Sequence, residues 1–179
     1  MEKDLEAFIQ QHTPIAEETA RWADGAINLR ITNYLSDALP PLQYVTSVRA
    51  IVLKDENVLV VRTLSGLHIE PGGRREVGET LMQTLQREML EETGWTIEHI
   101  HLLGFKHLHH LTPVPPGYSY ISPDFCQLIY AARAHTHRPE VVRTDDIEIE
   151  TFFYPIAEVQ ALNLKPAEIV YLEMAQKSV

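Results

Sequence analysis

Apolar positions along the chain follow two different periods. From Val45 the run VTSVRAIVL, a polar break at Lys54, Asp55, Glu56 and Asn57, and the run VLVVR read as two β-rich segments joined by a short turn, the pattern of a hairpin. Strand-like runs recur near residues 97–106, 125–134 and 147–153, with helical pieces near 156–162 and 166–176. Between Glu79 and Thr93 the period lengthens. At ~100° per residue on a helix, Leu81, Met82, Leu85 and Met89 fall in one sector and form a stripe that faces a core. Ahead of Pro40-Pro41 the pattern also reads as helical. Leu5, Phe8, Ile9 and His12 make one short stripe, Thr13-Pro14 is a good N-cap and first-turn pair, and Ile15, Thr19, Trp22, Ala23 and Ala26 recur at helical spacing. The expected organisation is a helical N-terminal extension over residues 1–41 followed by one domain over 42–179.

Glu88, Glu91 and Glu92 change this picture. Glu88 and Glu92 project into or beside the apolar stripe, and Glu91 stands at i+3 from Glu88. Like charges at this spacing repel by a few tenths of a kcal/mol even when exposed, and the C-terminal end of a helix disfavours negative charge. A solvated acidic face is the ordinary reading of a glutamate run, but the interleaved Leu81 and Leu85 oppose it. A divalent cation removes both penalties, and hard oxygen ligands at this spacing suit Mg2+, with Mn2+ as the alternative.

These residues sit inside GRREVGETLMQTLQREMLEETGW, from Gly73 to Trp95. The segment resembles the Nudix box, with Gly73, Glu79, Arg87, Glu88, Glu91, Glu92 and Gly94 at its fixed positions, Met89 and Trp95 where bulk is needed, and Pro71-Gly72 ahead of it. At ordinary composition each position is met by chance about one time in fifteen, so seven arise together about once in 10^8 windows. The resemblance implies an α/β fold, a Nudix-type α/β/α sandwich with a mixed sheet, extending over about residues 45–160. It implies hydrolysis of a nucleoside diphosphate linked to another moiety, of nucleotide sugar or ADP-ribose type, with nucleoside triphosphates as the open alternative. By the same resemblance Glu88, Glu91 and Glu92 bind metal and carry catalysis, while Glu79 and Arg87 brace the loop and helix. The glycines Gly73 and Gly94 permit tight turns. The group that takes the proton from water stays open between Glu91 and the acidic segment Asp145, Asp146, Glu148 and Glu150. A non-catalytic nucleotide-sensing module on the same fold is the competing class, and it is expected to lack box glutamates, none of which is missing here.

Composition bounds the rest. With 179 residues and 45% hydrophobic content the chain can bury an ordinary core. Its net charge of −10 argues against coating nucleic acid, so the expected partner is a small-molecule nucleotide. The single cysteine, Cys126, excludes an intramolecular disulfide framework and, within FCQLIYAARA, reads as a buried thiol. No apolar run is long enough to span a bilayer, so no membrane role is expected and the cytoplasm is the expected location.

His107, with His109 on the same strand face, and Tyr118, in a proline-rich loop after His110, are candidate substrate contacts, as are Arg62, Arg74 and Arg75. Cysteine partners and an HExxH-type helix do not accompany the histidines, which argues against zinc. The apolar N-terminal residues Phe8, Ile9, Ile15 and Trp22 need cover, and a homodimer is expected. Deletion of residues 1–39 should then weaken dimerisation and substrate affinity and leave the metal site intact.

Overall fold

The computed structural model describes residues 1–22, 25–64, 66–114, 118, 121–142 and 148–179, with only the backbone at 148 and 149. The chain divides into two compact units, Met1–Ser47 with Gly104–Leu128, and Val48–Leu103 with Ile129–Val179.

The first unit holds helix α1 (Lys3–Ile9) and strands β1 (Pro14–Trp22) and β2 (Ile27–Leu35), joined by parts of β3 (Val45–Lys54), β6 (Trp95–His110) and β7 (Asp124–His137). Residues 14–22 and 27–35 correct the expectation of a helical extension, because they form two antiparallel strands in which Trp22 pairs with Ile27 and Thr19 with Arg30, while Ala23 lies outside the described residues. Ile15, Thr19 and Trp22 do fit a helical period. In the hairpin, however, Ile15 sits at a register shift between Pro14 and Ala16, and Thr19 and Trp22 lie on opposite faces, the Trp22 ring 6.1 Å from that of Phe125. What decides the matter is β2. Ile27, Leu29 and Ile31 alternate at period two and are buried with Leu108 and Phe125, and β-branched side chains favour a pleated surface. Gly25 closes the turn at φ +89°, donating its N–H to Trp22 O at 3.1 Å.

β2 then pairs with β6 from Leu29↔His110 to Leu35↔Gly104. Helix α1 buries Leu5 and sets Phe8 against Phe105, with 5.2 Å between ring centres. Its Asp4 carboxylate accepts from Gln43 Nε2 at 2.7 Å and from Tyr44 Oη at 3.0 Å, which fastens the helix to the start of β3.

In the second unit β4 (Asn57–Thr63) is the central strand. It pairs with β3 at Leu53↔Val58, with β5 (Gly66–His68) at Val61↔His68, and with β8 (Glu148–Pro155) from Asn57↔Pro155 to Thr63↔Glu148. The β3–β4 hairpin stands where the sequence predicts it, with Asp55 at φ +51° in its turn. The alternative of leaving such a run exposed is costly, and Ile51, Val52 and Val58–Val61 are all fully buried. Helix α2 spans Leu81–Thr93 and α3 spans Pro166–Ser178. Pro166 opens α3 at a position where its missing N–H costs nothing. The buried Glu168 accepts from Lys165 N at 2.9 Å and from Ile69 N at 3.4 Å. Among the described residues no helix is long and apolar enough to cross a membrane. The fold class is α/β, as expected.

Candidate active site

The site is built on α2 and the loop before it, all within the second unit. Thr80 caps the helix: its Oγ1 accepts from Gln83 N at 3.2 Å, and Gln83 Oε1 accepts from Thr80 N at 2.9 Å. This reciprocal pair is legible as T-x-x-Q in the sequence, and it fixes the helix start about two turns ahead of Glu88. Leu85 and Met89 are fully buried, as their stripe predicts. At the far end Gly94 adopts φ +71°, and a side chain there would meet Val142 Cγ2 at 2.9 Å.

The loop is held against β3, where Ala50 N donates to Pro71 O and Val48 N to Gly73 O, each at 3.0 Å. Gly72, at φ +133°, approaches β3 so closely that a Cβ would collide with Val48 O and lie 2.7 Å from Arg49 Cα. Its N–H donates to Glu92 Oε2 at 2.7 Å. A Cβ on Gly73 would enter the Glu88 carboxyl, 2.6 Å from Oε1. The two glycines thus do different work, one against backbone and one against a box glutamate.

Arg87 is the node of the site. Nε donates to Glu79 Oε1 at 2.7 Å and Nη2 to Glu79 Oε2 at 2.9 Å, a two-pronged pair. Nη1 donates to Glu88 Oε1 at 2.8 Å and to Glu91 Oε2 at 3.2 Å, and Nη2 also reaches Arg74 O at 2.9 Å. A guanidinium has five N–H donors, and all five are used. The Glu79 carboxyl is held down to about 2 by these bonds, against a smaller opposing effect of burial, with Thr84 Oγ1 adding a bond at 2.8 Å. Burial instead pushes the Glu88 carboxyl up, opposed by Arg87 and Arg49. Arg49 donates to Glu70 O at 2.9 Å.

Three carboxylates share one guanidinium here, and a fourth, Glu92, is tied to the loop. Among the described residues no three His, Cys, Asp or Glu side chains already surround a common cation position. The donor set nonetheless fits a hard divalent cation: all are carboxylate oxygens, they outnumber the local positive charge, and Glu88 is a carboxyl that burial disfavours in its charged form.

The other sequence candidates stand elsewhere. Arg62 is exposed on β4, with its Nε 3.1 Å from Glu150 Oε2 and its guanidinium 5.7 Å from the Phe152 ring centre. Arg74 contributes its carbonyl to Arg87. His107 and Tyr118 belong to the first unit. His107 Nε2 and His109 Nδ1 both lie 2.8 Å from Asp124 Oδ1, and Tyr118 Oη lies 3.2 Å from His110 Nε2. Burial pushes the His107 imidazole down, while the two histidine bonds outweigh the upward effect of burial on Asp124 and hold it low. Asp124 escaped the sequence reading, although a lone carboxylate opening an apolar strand is a visible anomaly. Asp145 and Asp146 lie outside the described residues, as does the side chain of Glu148. Burial pushes the Cys126 thiol up to about 12, which agrees with a structural thiol.

The model of the NUDIX domain family matches residues 43–175. Among solved structures, a NUDIX hydrolase from Nitrosomonas europaea is similar at 22% identity and a TM-score of 0.56, covering 73% of this chain and 87% of that one. A Bacillus subtilis pyrophosphohydrolase is similar at 16% identity and a TM-score of 0.56, covering 90% and 94%. An ADP compounds hydrolase is similar at 14% identity and a TM-score of 0.52, covering 93% and 92%. A search of curated proteins returns no match. The chain belongs to the NUDIX family and is a hydrolase acting on phosphoanhydride bonds.

Proposed function

We propose that this enzyme is a metal-dependent pyrophosphohydrolase of a nucleoside diphosphate joined to another moiety, of nucleotide sugar or ADP-ribose type. The observation that carries the reading is the five-bond Arg87 node, which joins Glu79 from the loop before α2 to Glu88 and Glu91 in its later turns, while Glu92 accepts from Gly72 N. Glu88, Glu91 and Glu92 would hold Mg2+, or Mn2+ in its place, and are the residues on which catalysis depends. A cation bound there supplies neutralising charge to the diphosphate and lowers the pKa of a water. Arg87, paired with Glu79, positions Glu88 and Glu91, Gly73 leaves room for the Glu88 carboxyl, and Gly94 supplies the left-handed turn that ends α2. Arg62, Arg74, His107 and Tyr118 are weaker candidates for substrate contact: the side chains of Arg62, His107 and Tyr118 have protein partners, and the bond at Arg74 is made by its backbone carbonyl.

Residues 42–179 form the family domain in this reading and residues 1–41 are an addition to it. The protein is cytoplasmic and a homodimer. The two hydrolase structures with named activities support the substrate class only through their fold. The test is phosphate-product formation with Mg2+ across nucleotide sugars, ADP-ribose and nucleoside triphosphates. Turnover of none of them, with nucleotide binding intact, would convert the reading to a sensor.

A further inference from the structure

β1 is an edge strand: among the described residues it pairs with β2 along one side alone. A nine-residue edge is an open row of backbone donors and acceptors, and proteins ordinarily blunt such a row with charge or proline. Here Pro14 blunts the start, and Glu17, Glu18 and Arg21 supply the charge. The placement of those charges is selective. Glu17, Thr19 and Arg21 lie on one face of β1, and Ala16, Glu18, Ala20 and Trp22 on the other.

Two copies of β1 can join antiparallel about a two-fold axis, with the matching faces of their sheets continuous, only when residues of the same face stand opposite one another. Centring that axis on Glu17 or on Glu18 sets a carboxylate directly against its own copy. Centring it on Ala20 sets Glu18 against Trp22 and brings no opposite charges together. Centring it on Thr19 sets Glu17 against Arg21 twice, Glu18 against Ala20, and the small Ala16 against Trp22. Cross-strand pairs of opposite charge stabilise a sheet and like pairs oppose it. Both charged partners are exposed, and Thr32 on β2 braces Glu17 from behind, its Oγ1 donating at 3.4 Å.

We propose that a second copy of this chain docks on β1, antiparallel and in the register centred on Thr19, so that β1 of each protomer extends the sheet of the other. This gives the expected homodimer a defined surface, and it is independent of the hydrolytic reading, since no residue of the α2 site takes part.

The experiment is sedimentation velocity of the full chain from low micromolar to hundreds of micromolar. Wild type is compared with Arg21→Glu, Glu17→Arg and the double variant carrying both changes, and thermal melts confirm that each is folded. Because symmetry places each change in the interface twice, either single substitution should weaken association at least about tenfold. The double variant restores Glu opposite Arg with the signs exchanged and should return to near wild-type association. Two single variants are used so that failure of one to fold leaves the other to decide. A wild-type monomer at every concentration would overturn the proposal. So would single variants that dimerise normally, or a double variant that fails to recover. None of these outcomes bears on turnover, so loss of this proposal and loss of the hydrolase reading are separable.

Discussion

Gly72 and Gly73 are adjacent, yet methylation of one should damage the fold and of the other the chemistry. In Gly73→Ala the new Cβ lies 2.6 Å from Glu88 Oε1, where ordinary contact begins at 3.4 Å, so the carboxyl must withdraw by roughly 1 Å. The obstacle is the end of a flexible side chain, so the backbone can stay. What is lost is the 2.8 Å bond from Arg87 Nη1, worth about 1 kcal/mol in a site that water can enter. For a chain of this size that lowers Tm by about 2–4 °C.

Turnover should fall much further. A catalytic group misplaced by about 1 Å costs on the order of 10^2 in rate, equivalent to about 2.7 kcal/mol of barrier. Gly72→Ala meets Val48 O and Arg49 Cα, both backbone, at a φ that side chains rarely adopt, so several kcal/mol of stability should go. Product formation at saturating Mg2+ and thermal melts of both variants test the contrast. A Gly73→Ala enzyme with near-normal kcat, or one as unstable as Gly72→Ala, would refute the reasoning.

Other consequences are open to measurement. Glu92→Gln keeps an oxygen to accept from Gly72 N, so it should lose at least about 10^2 in kcat with little change in Tm, and retained turnover would remove Glu92 from the proposed metal set. Arg87→Lys cannot reproduce five directed bonds, so Tm should fall, and an unchanged melt would show the node to be dispensable. Glu79 has a depressed pKa, so its contribution to stability is complete above the ordinary carboxylate value near 4.5 and is lost as pH falls toward about 2. Acid titration of wild type against Glu79→Gln should show the two stability curves converging in that window. Deletion of residues 1–39, expected from sequence to spare the metal site, now removes Leu5, Leu29 and Ile31 from the first unit's core. A misfolded product is therefore expected, seen as loss of a cooperative melt.

The sequence was most legible where chemistry and periodicity coincide. The stripe of Leu85 and Met89 and the closeness of Arg87, Glu88 and Glu91 follow from spacing on a helix, because i, i+3 and i+4 relations are local, whereas Glu79 precedes the helix and its part was legible only through the family resemblance. The β3–β4 hairpin was equally local. Residues 14–22 and 27–35 read as helical because Ile15, Thr19 and Trp22 satisfy a helical period over so short a span. The partners that decide the strands, Leu108 and Phe125 packed with Ile27, Leu29, Ile31 and Trp22, are remote in sequence. For the same reason Asp124 was invisible as the acceptor for His107 and His109, since strand pairing alone brings it there. The direction in which Arg87 would spend its donors could not be read from spacing, because Arg74 O comes from the preceding loop.

The saturation of Arg87 separates two events in the life of the protein. Glu79, Glu88 and Glu91 already have a permanent counter-charge that folds with them, so the acidic end of α2 does not depend on an external ion to assemble. In the proposed reading Glu88, Glu91 and Glu92 would hold the cation, and the Arg87 contacts of Glu88 and Glu91, at 2.8 and 3.2 Å, would be the ones open to exchange, whereas the two-pronged Arg87–Glu79 pair would not be needed for it. A chelator should strip activity from a molecule whose melt remains cooperative, and re-addition of Mg2+ should restore it without a refolding phase.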